Sequence, residues 1–322
     1  MYLKDNDPIR QSRKALRSAH PYLQVLAIIG IDFFSIGVLG FLFAFSMAIV
    51  MGPSAISSMQ GFITTLGDQY FITSLFFELA GIIGVYLFSR KANKRTLASL
   101  GLKGKDRVKK YLLGIFLGLF LFSLVALLAW KSGGIALYRN PRSISSKTFI
   151  LFILGWMIQG FNEEFVCRSG VMNLLAIKYG AIHGILVNSL IFSLLHFGNP
   201  GLTALALVNL FLFGVICSLL FYLTENIFLP AALHSFWNFA QGNLFGAQVS
   251  GLKSYETVIF RISNTGPRLL NGGAFGLEGS IFTFLVLAIA LGVLIWILHK
   301  RKCLTKEDPA ALYAAQVSST VQ

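Results

Sequence analysis

Residues 159–170, QGFNEEFVCRSG, place two adjacent carboxylates, Glu163 and Glu164, just ahead of a guanidinium, Arg168. Two further short stretches repeat the i,i+4 spacing of Glu164 and Arg168: Phe192 and His196 in FSLLH, and His234 and Asn238 in HSFWN. On a helix that separation puts both side chains on one face. Three such faces could line one cavity in a helix bundle. The chemistry would be hydrolysis: a carboxylate and an imidazole activate water, and N–H donors hold the oxyanion of a tetrahedral intermediate.

The two glutamates have different prospects. Glu164 faces Arg168 one turn on, so the two charges pair. Glu163 is rotated by about 100° and has no local cation. In a low-dielectric cavity, such a carboxylate is suited to take a proton from water as a general base. His196 is its expected partner. In a helical hairpin turning at Tyr179–Gly180, both residues lie 16 positions from the turn. That is ~24 Å along each helix at about 1.5 Å per residue. His234 and Asn238 offer the N–H donors, although alone they read equally well as an interhelical hydrogen bond. Depth is the difficulty. If the helices are straight and fully spanning, His196 and His234 approach opposite faces. They meet only if FGNPG at 197–201 is recessed inside the bundle or the helices tilt strongly.

The elements that must position these groups are membrane helices. Of 322 residues, 55% are hydrophobic and 12% charged, and mean hydropathy is +0.71; soluble proteins are about a quarter charged. Eight apolar segments run roughly over 23–51, 71–89, 111–130, 148–166, 182–197, 202–223, 228–246 and 279–298. Runs of about 20 residues, not alternating ten-residue strands, predict an all-α polytopic membrane helix bundle with about eight transmembrane helices. Segment 182–197 is short for a full span. An ionisable group at the centre of a membrane helix costs ~3 kcal/mol or more. Asp32 and Glu78, isolated in their segments, therefore read as hydrogen-bond partners of a neighbouring helix.

The net charge of +14 lies between the apolar runs. The N-terminal tail, the connection at 90–110 with nine basic residues against one Asp, and HKRK at 299–302 are the basic clusters. With eight spans all three fall on one side, the cytoplasmic one, and both termini with them. The basic excess points to anionic headgroups of a lipid bilayer and not to nucleic acid. Cys167, Cys217 and Cys303 form no CxxC pair, so neither a disulfide framework nor a zinc knuckle is implied. The first 22 residues lack the apolar core of a cleavable signal peptide. The expected organisation is a basic cytoplasmic tail at 1–22, N-terminal transmembrane helices and loops at 23–147, and the polar-bearing core at 148–246. An external loop at 247–278, a last span at 279–299 and a C-terminal tail at 300–322 follow.

EEFVCR fits EExxxR, FSLLH fits FxxxH, and HSFWN, in the context NIFLPAALHSFWN, fits HxxxN. In this order they resemble the CAAX protease and bacteriocin-processing family (CPBP, also called Abi), which includes the Ras-converting CAAX prenyl protease. The resemblance covers about residues 148–245. It implies an intramembrane endopeptidase acting on a membrane protein or a lipidated, prenylated peptide. Carried over, Glu163 and His196 activate water, His234 and Asn238 form the oxyanion site, and Glu164 and Arg168 support them. This mechanism requires no cofactor. A zinc-dependent form is the alternative: Glu163, His196 and His234 could supply a two-His, one-carboxylate zinc site, which would consume the oxyanion donor, and HExxH is absent. Family frequency places the protein in a bacterial plasma membrane. Two other classes stand beside the peptidase. One is a non-proteolytic membrane scaffold or immunity regulator of the same family. The other is a transporter using the glutamates as a proton site, against which the lack of internal repeats counts.

Overall fold

The computed structural model describes residues 2–15, 20–51, 66–252 and 256–312. Parts of the expected tails, 16–19 and 313–322, lie outside the described residues. A short helix α1, Asp7–Ala15, precedes the bundle. Each of the eight apolar segments then contains a helix. These are α2 Pro21–Met51, α3 Asp68–Leu87, α4 Arg107–Lys131 and α5 Ser146–Glu164. Helix α5 continues through a π-helical stretch, Phe165–Met172, into α6, Asn173–Tyr179. Then come α7 Ala181–Leu194, α8 Ala204–Thr224, α9 Phe228–Phe239 and α10 Ile281–Lys300. The chain is an all-α membrane bundle. Among the described residues, six stretches are long and apolar enough to cross a membrane: α2, α3, α4, the α5–α6 run, α8 and α10. Helix α7, with 14 residues, and α9, with 12, are shorter.

Bulky apolar side chains such as Phe33, Phe34, Phe45 and Ile49 point outward, as they can where the solvent is hydrocarbon. Close helix contacts use small residues instead. A Cβ at Gly114 would lie 2.4 Å from Leu229 O, and one at Gly118 2.4 Å from Leu233 O. A Cβ at Gly160 would lie 2.6 Å from Ser235 N. Helix α9, which carries His234 and Asn238, is thereby held tightly between α4 and α5.

Strands β1, Tyr2–Leu3, and β4, Leu304–Thr305, pair antiparallel. The described N- and C-terminal residues therefore share one end of the bundle. The basic connection after α3 joins them there. Ile227 N donates to Gly101 O at 3.1 Å and Lys110 Nζ to Thr224 O at 2.9 Å. Arg95, 1% exposed, donates to Ser169 O at 2.5 Å, Ser99 O at 2.7 Å and Ser12 Oγ at 3.1 Å. Burial pulls its pKa down to about 9, so the guanidinium stays charged at neutral pH. Through Ser169 it anchors the helix one residue beyond Arg168.

At the opposite end, side-chain caps fix where helices begin. Ser145, Thr203 and Ser280 accept from the backbone N–H groups of Thr148, Ala206 and Thr283, each worth about 1 kcal/mol. Strand β2, Ile135–Arg139, pairs antiparallel with β3, Phe260–Asn264, at this end. Flanking stretches of the segment expected as an external loop fold over the turn after α7. Asn199 Nδ2 donates to Ser250 O at 2.8 Å and Arg268 Nη2 to Gly201 O at 2.9 Å. At Gly251, φ +84°, a Cβ would sit 2.1 Å from Pro200 O. The turn at 197–201 is thus partly roofed by protein, and α7 stops short at Leu194. Phe197, Gly198 and Pro200 stay exposed, so the turn lies under the roof at the end of the bundle and is not sunk inside it.

Candidate active site

A cavity of about 600 Å3 opens among α2, α3, α5, α7, α8, α9 and the roof. Glu163, His196, His234 and Asn238 all line it, with Gln159 and Glu78. Its apolar side includes Gly37, Gly40 and Phe41 of α2 and Phe77 of α3.

Behind the polar wall lies a buried ion pair. Glu164 and Arg168 are both 0% exposed, and Arg168 Nη1 is 3.0 Å from Glu164 Oε1. All eight residues of the π-helical stretch that carries Arg168 are buried; such stretches are frequent at functional sites. A dehydrated pair needs further partners to be tolerated. Arg168 Nη2 donates to Gly214 O of α8 at 3.0 Å, and its guanidinium carbon stands 4.8 Å from the Phe192 ring centroid, a cation–π contact.

His234 stands between the two glutamates. Its Nδ1 is 2.9 Å from Glu164 Oε1, and its Nε2 is 3.7 Å from Glu163 Oε2. The first is a hydrogen bond; the second is a charge contact too long to be one. Phe192 and Phe213 meet the ring edge-on at 5.8 and 5.1 Å between centroids. They hold its plane.

Glu163 is the accessible glutamate, 28% exposed against 0% for Glu164. Gln159 Nε2 donates to Glu163 Oε1, and Asn238 Nδ2 donates to Gln159 Oε1 at 2.9 Å. One amide thus links the candidate base to the candidate oxyanion donor. His196 places Nδ1 2.9 Å from Phe192 O. A carbonyl only accepts, so Nδ1 carries a proton, and in the neutral ring Nε2 is then an acceptor.

All six side chains singled out in the sequence therefore lie around this cavity or directly behind it. The Glu164–Arg168 pair forms as expected. The imidazole in ion-pair range of Glu163 is that of His234, whereas equal depth had pointed to His196. A hairpin fixes height along a helix but not azimuth. Gln159 was missed, although it precedes Glu163 by the i,i+4 spacing that selected the other pairs. Glu278 was missed for a better reason, since it lies at the end of an irregular segment. Its carboxylate accepts from Trp237 Nε1 at 3.1 Å and from Ser250 N and Oγ at 2.8 and 2.9 Å. It pins the roof to α9. Asp32 and Glu78 do bond to a neighbouring helix: Asn162 Nδ2 donates to Asp32 Oδ1 at 2.9 Å and to Glu78 Oε2 at 2.6 Å.

Among the described residues, no group of three or more His, Cys, Asp or Glu side chains is placed to hold a metal ion. His234 turns both ring nitrogens toward carboxylates.

Residues 145–240 match the family model of type II CAAX prenyl endopeptidase Rce1-like proteins. The matched segment is under a third of the chain and contains all six residues above. No curated protein matches the chain. The family match supports endopeptidase activity in a membrane at the level of the family.

Proposed function

Taking this Rce1-like segment as the premise, we propose that the protein is an intramembrane endopeptidase in which Glu163 activates the attacking water. The observation that carries the reading is the unequal placement of two adjacent carboxylates. Glu163 reaches the cavity, while Glu164 is sealed behind it with Arg168 and His234.

Glu163 takes a proton from water as the water oxygen bonds to the peptide carbonyl carbon. His196 Nε2, an acceptor, holds the second water proton. The carbonyl oxygen becomes an anion and needs donors. With a proton on each ring nitrogen, His234 gives Nδ1–H to Glu164 and turns Nε2–H to the oxyanion, and Asn238 adds an amide N–H. The site is then charge-balanced, with two carboxylates against Arg168 and His234. Gln159 keeps Glu163 and Asn238 in register. A cavity of this size suits a few apolar residues or a prenyl chain, and Gly37, Gly40 and Phe41 give it an apolar wall. The substrate class is a prenylated peptide or a membrane protein segment. In this reading the positively charged end that the termini share faces the cytoplasm, as the excess of basic residues there favours, and the membrane is a bacterial plasma membrane. The mechanism needs no metal.

The test uses purified protein in lipid nanodiscs with an S-farnesylcysteine peptide. His196→Ala and His234→Ala should each reduce cleavage by about 100-fold or more, with thermal unfolding still cooperative. A chelator should leave the wild-type rate unchanged. Full activity in both variants, or loss to chelator that zinc restores, would end this mechanism.

A further inference from the structure

Asp32 and Glu78 have no place in that mechanism, yet they are not peripheral. Glu78 lines the same cavity as Glu163, and Asn162, which holds both acids, is the residue before Glu163. Resting on the hydrolytic reading, we propose that Asp32, Asn162 and Glu78 hold a proton between them, and that Glu78 is the general acid that delivers it to the leaving nitrogen.

Charge counting supports the held proton. Two carboxyls accept from one amide nitrogen at 2.9 and 2.6 Å. Neither α2 nor α3 contains a Lys, Arg or His, and the one in α5 is Lys147 in its first turn. Arg168 is committed to Glu164. Two anions without a counter-charge in hydrocarbon are each costly; a proton on one removes most of that cost.

Asn162 itself supplies an independent sign. It is 1% exposed, and its Oδ1 is buried with no hydrogen-bond partner. A buried carbonyl oxygen calls for a donor, and a protonated carboxyl beside it is one. Space for the cluster is provided by Gly81, one turn after Glu78. A Cβ there would lie 2.1 Å from Asp32 Oδ1 and 2.9 Å from Asn162 Nδ2.

The chemistry has a use for the proton. Breaking the C–N bond expels an amine, a poor leaving group until its nitrogen is protonated. In the proposed step the oxyanion collapses, the C–N bond breaks, and the Glu78 carboxyl proton goes to nitrogen. The proton that Glu163 took from water then passes across the cavity to the Glu78 carboxylate. The net result is one water consumed, one acid and one amine released, and both glutamates restored.

Two measurements test this. The first compares an S-farnesylcysteine peptide with the aryl ester of the same acyl group, whose phenolate leaves without a proton. Glu78→Gln should lose about 100-fold in kcat on the peptide, with KM little changed, and keep its rate on the ester. Glu163→Gln should lose both. Equal losses on the two substrates, or no loss on the peptide, would overturn proton delivery by Glu78. The second is independent of turnover. Infrared spectra at neutral pH should show a protonated carboxylic C=O band that Glu78→Gln or Asp32→Asn removes. A band unchanged in both variants would overturn the shared proton. A wild type that cleaves neither probe counts against the hydrolytic reading, and the infrared band then decides the shared proton by itself.

Discussion

Glu163 and Glu164 sit beside a guanidinium and an imidazole, whereas Asp32 and Glu78 share a single amide. Both pairs lie in the same apolar bundle. The first pair is balanced by the Arg168 guanidinium and is met by the His234 imidazole from α9. It carries charge at the cost of fixing Arg168, His234 and Phe192 around it. The second pair has no cation on its three helices except Lys147 in the first turn of α5, and it is held by one neutral residue. The contrast teaches that burial alone does not define a carboxyl's role. What decides it is the kind of group that neutralises it, and which face it leaves open to the cavity.

Substitutions can sharpen this contrast. The largest stability effect is expected for Arg168→Met, which leaves Glu164 buried and uncompensated. Removing one partner of a buried pair costs ~3–5 kcal/mol, read as a lowered thermal midpoint in nanodiscs. An unchanged midpoint would mean that Glu164 needs no charge partner. Next, the double variant Glu164→Gln with Arg168→Met should recover part of that loss, because neither charge is then stranded; a midpoint below that of the single variant would argue against coupling. Gln159→Ala should act mainly on rate. Loss of the link between Glu163 and Asn238 is expected to lower kcat by about 10-fold while folding stays close to wild type. Unaltered kcat would remove Gln159 from the site. Asp32→Asn should be the mildest, within about 1 kcal/mol, since it replaces one hydrogen-bonding group with another and adds no charge. A collapse comparable to that of Arg168→Met would show that Asp32 is an anion in an essential ion pair.

Much of this was legible in the sequence. Apolar run length marked the helices, because lipid requires about 20 residues per span. The i,i+4 spacing found Glu164–Arg168 and His234–Asn238, because that spacing is a local property of a helix. Contacts between distant helices were less legible. His234 lies between the glutamates because Gly160 lets α9 approach α5 at Ser235, and nothing local to HSFWN encodes that neighbour. Asp32 and Glu78 looked isolated for the same reason; their common partner, Asn162, is far from both in sequence. Glu278 was hidden most completely. Its role depends on the fold of an irregular segment that has no periodicity to read.

The most direct test of the site is the kcat of Glu163→Gln beside that of wild type on the farnesylated peptide, with both samples shown to unfold at the same midpoint. A loss of about 1,000-fold or more is expected, since a general base acting on water contributes on the order of 100- to 10,000-fold. A rate within about threefold of wild type, under half a decade and far below that range, would contradict the assignment of Glu163 as the base.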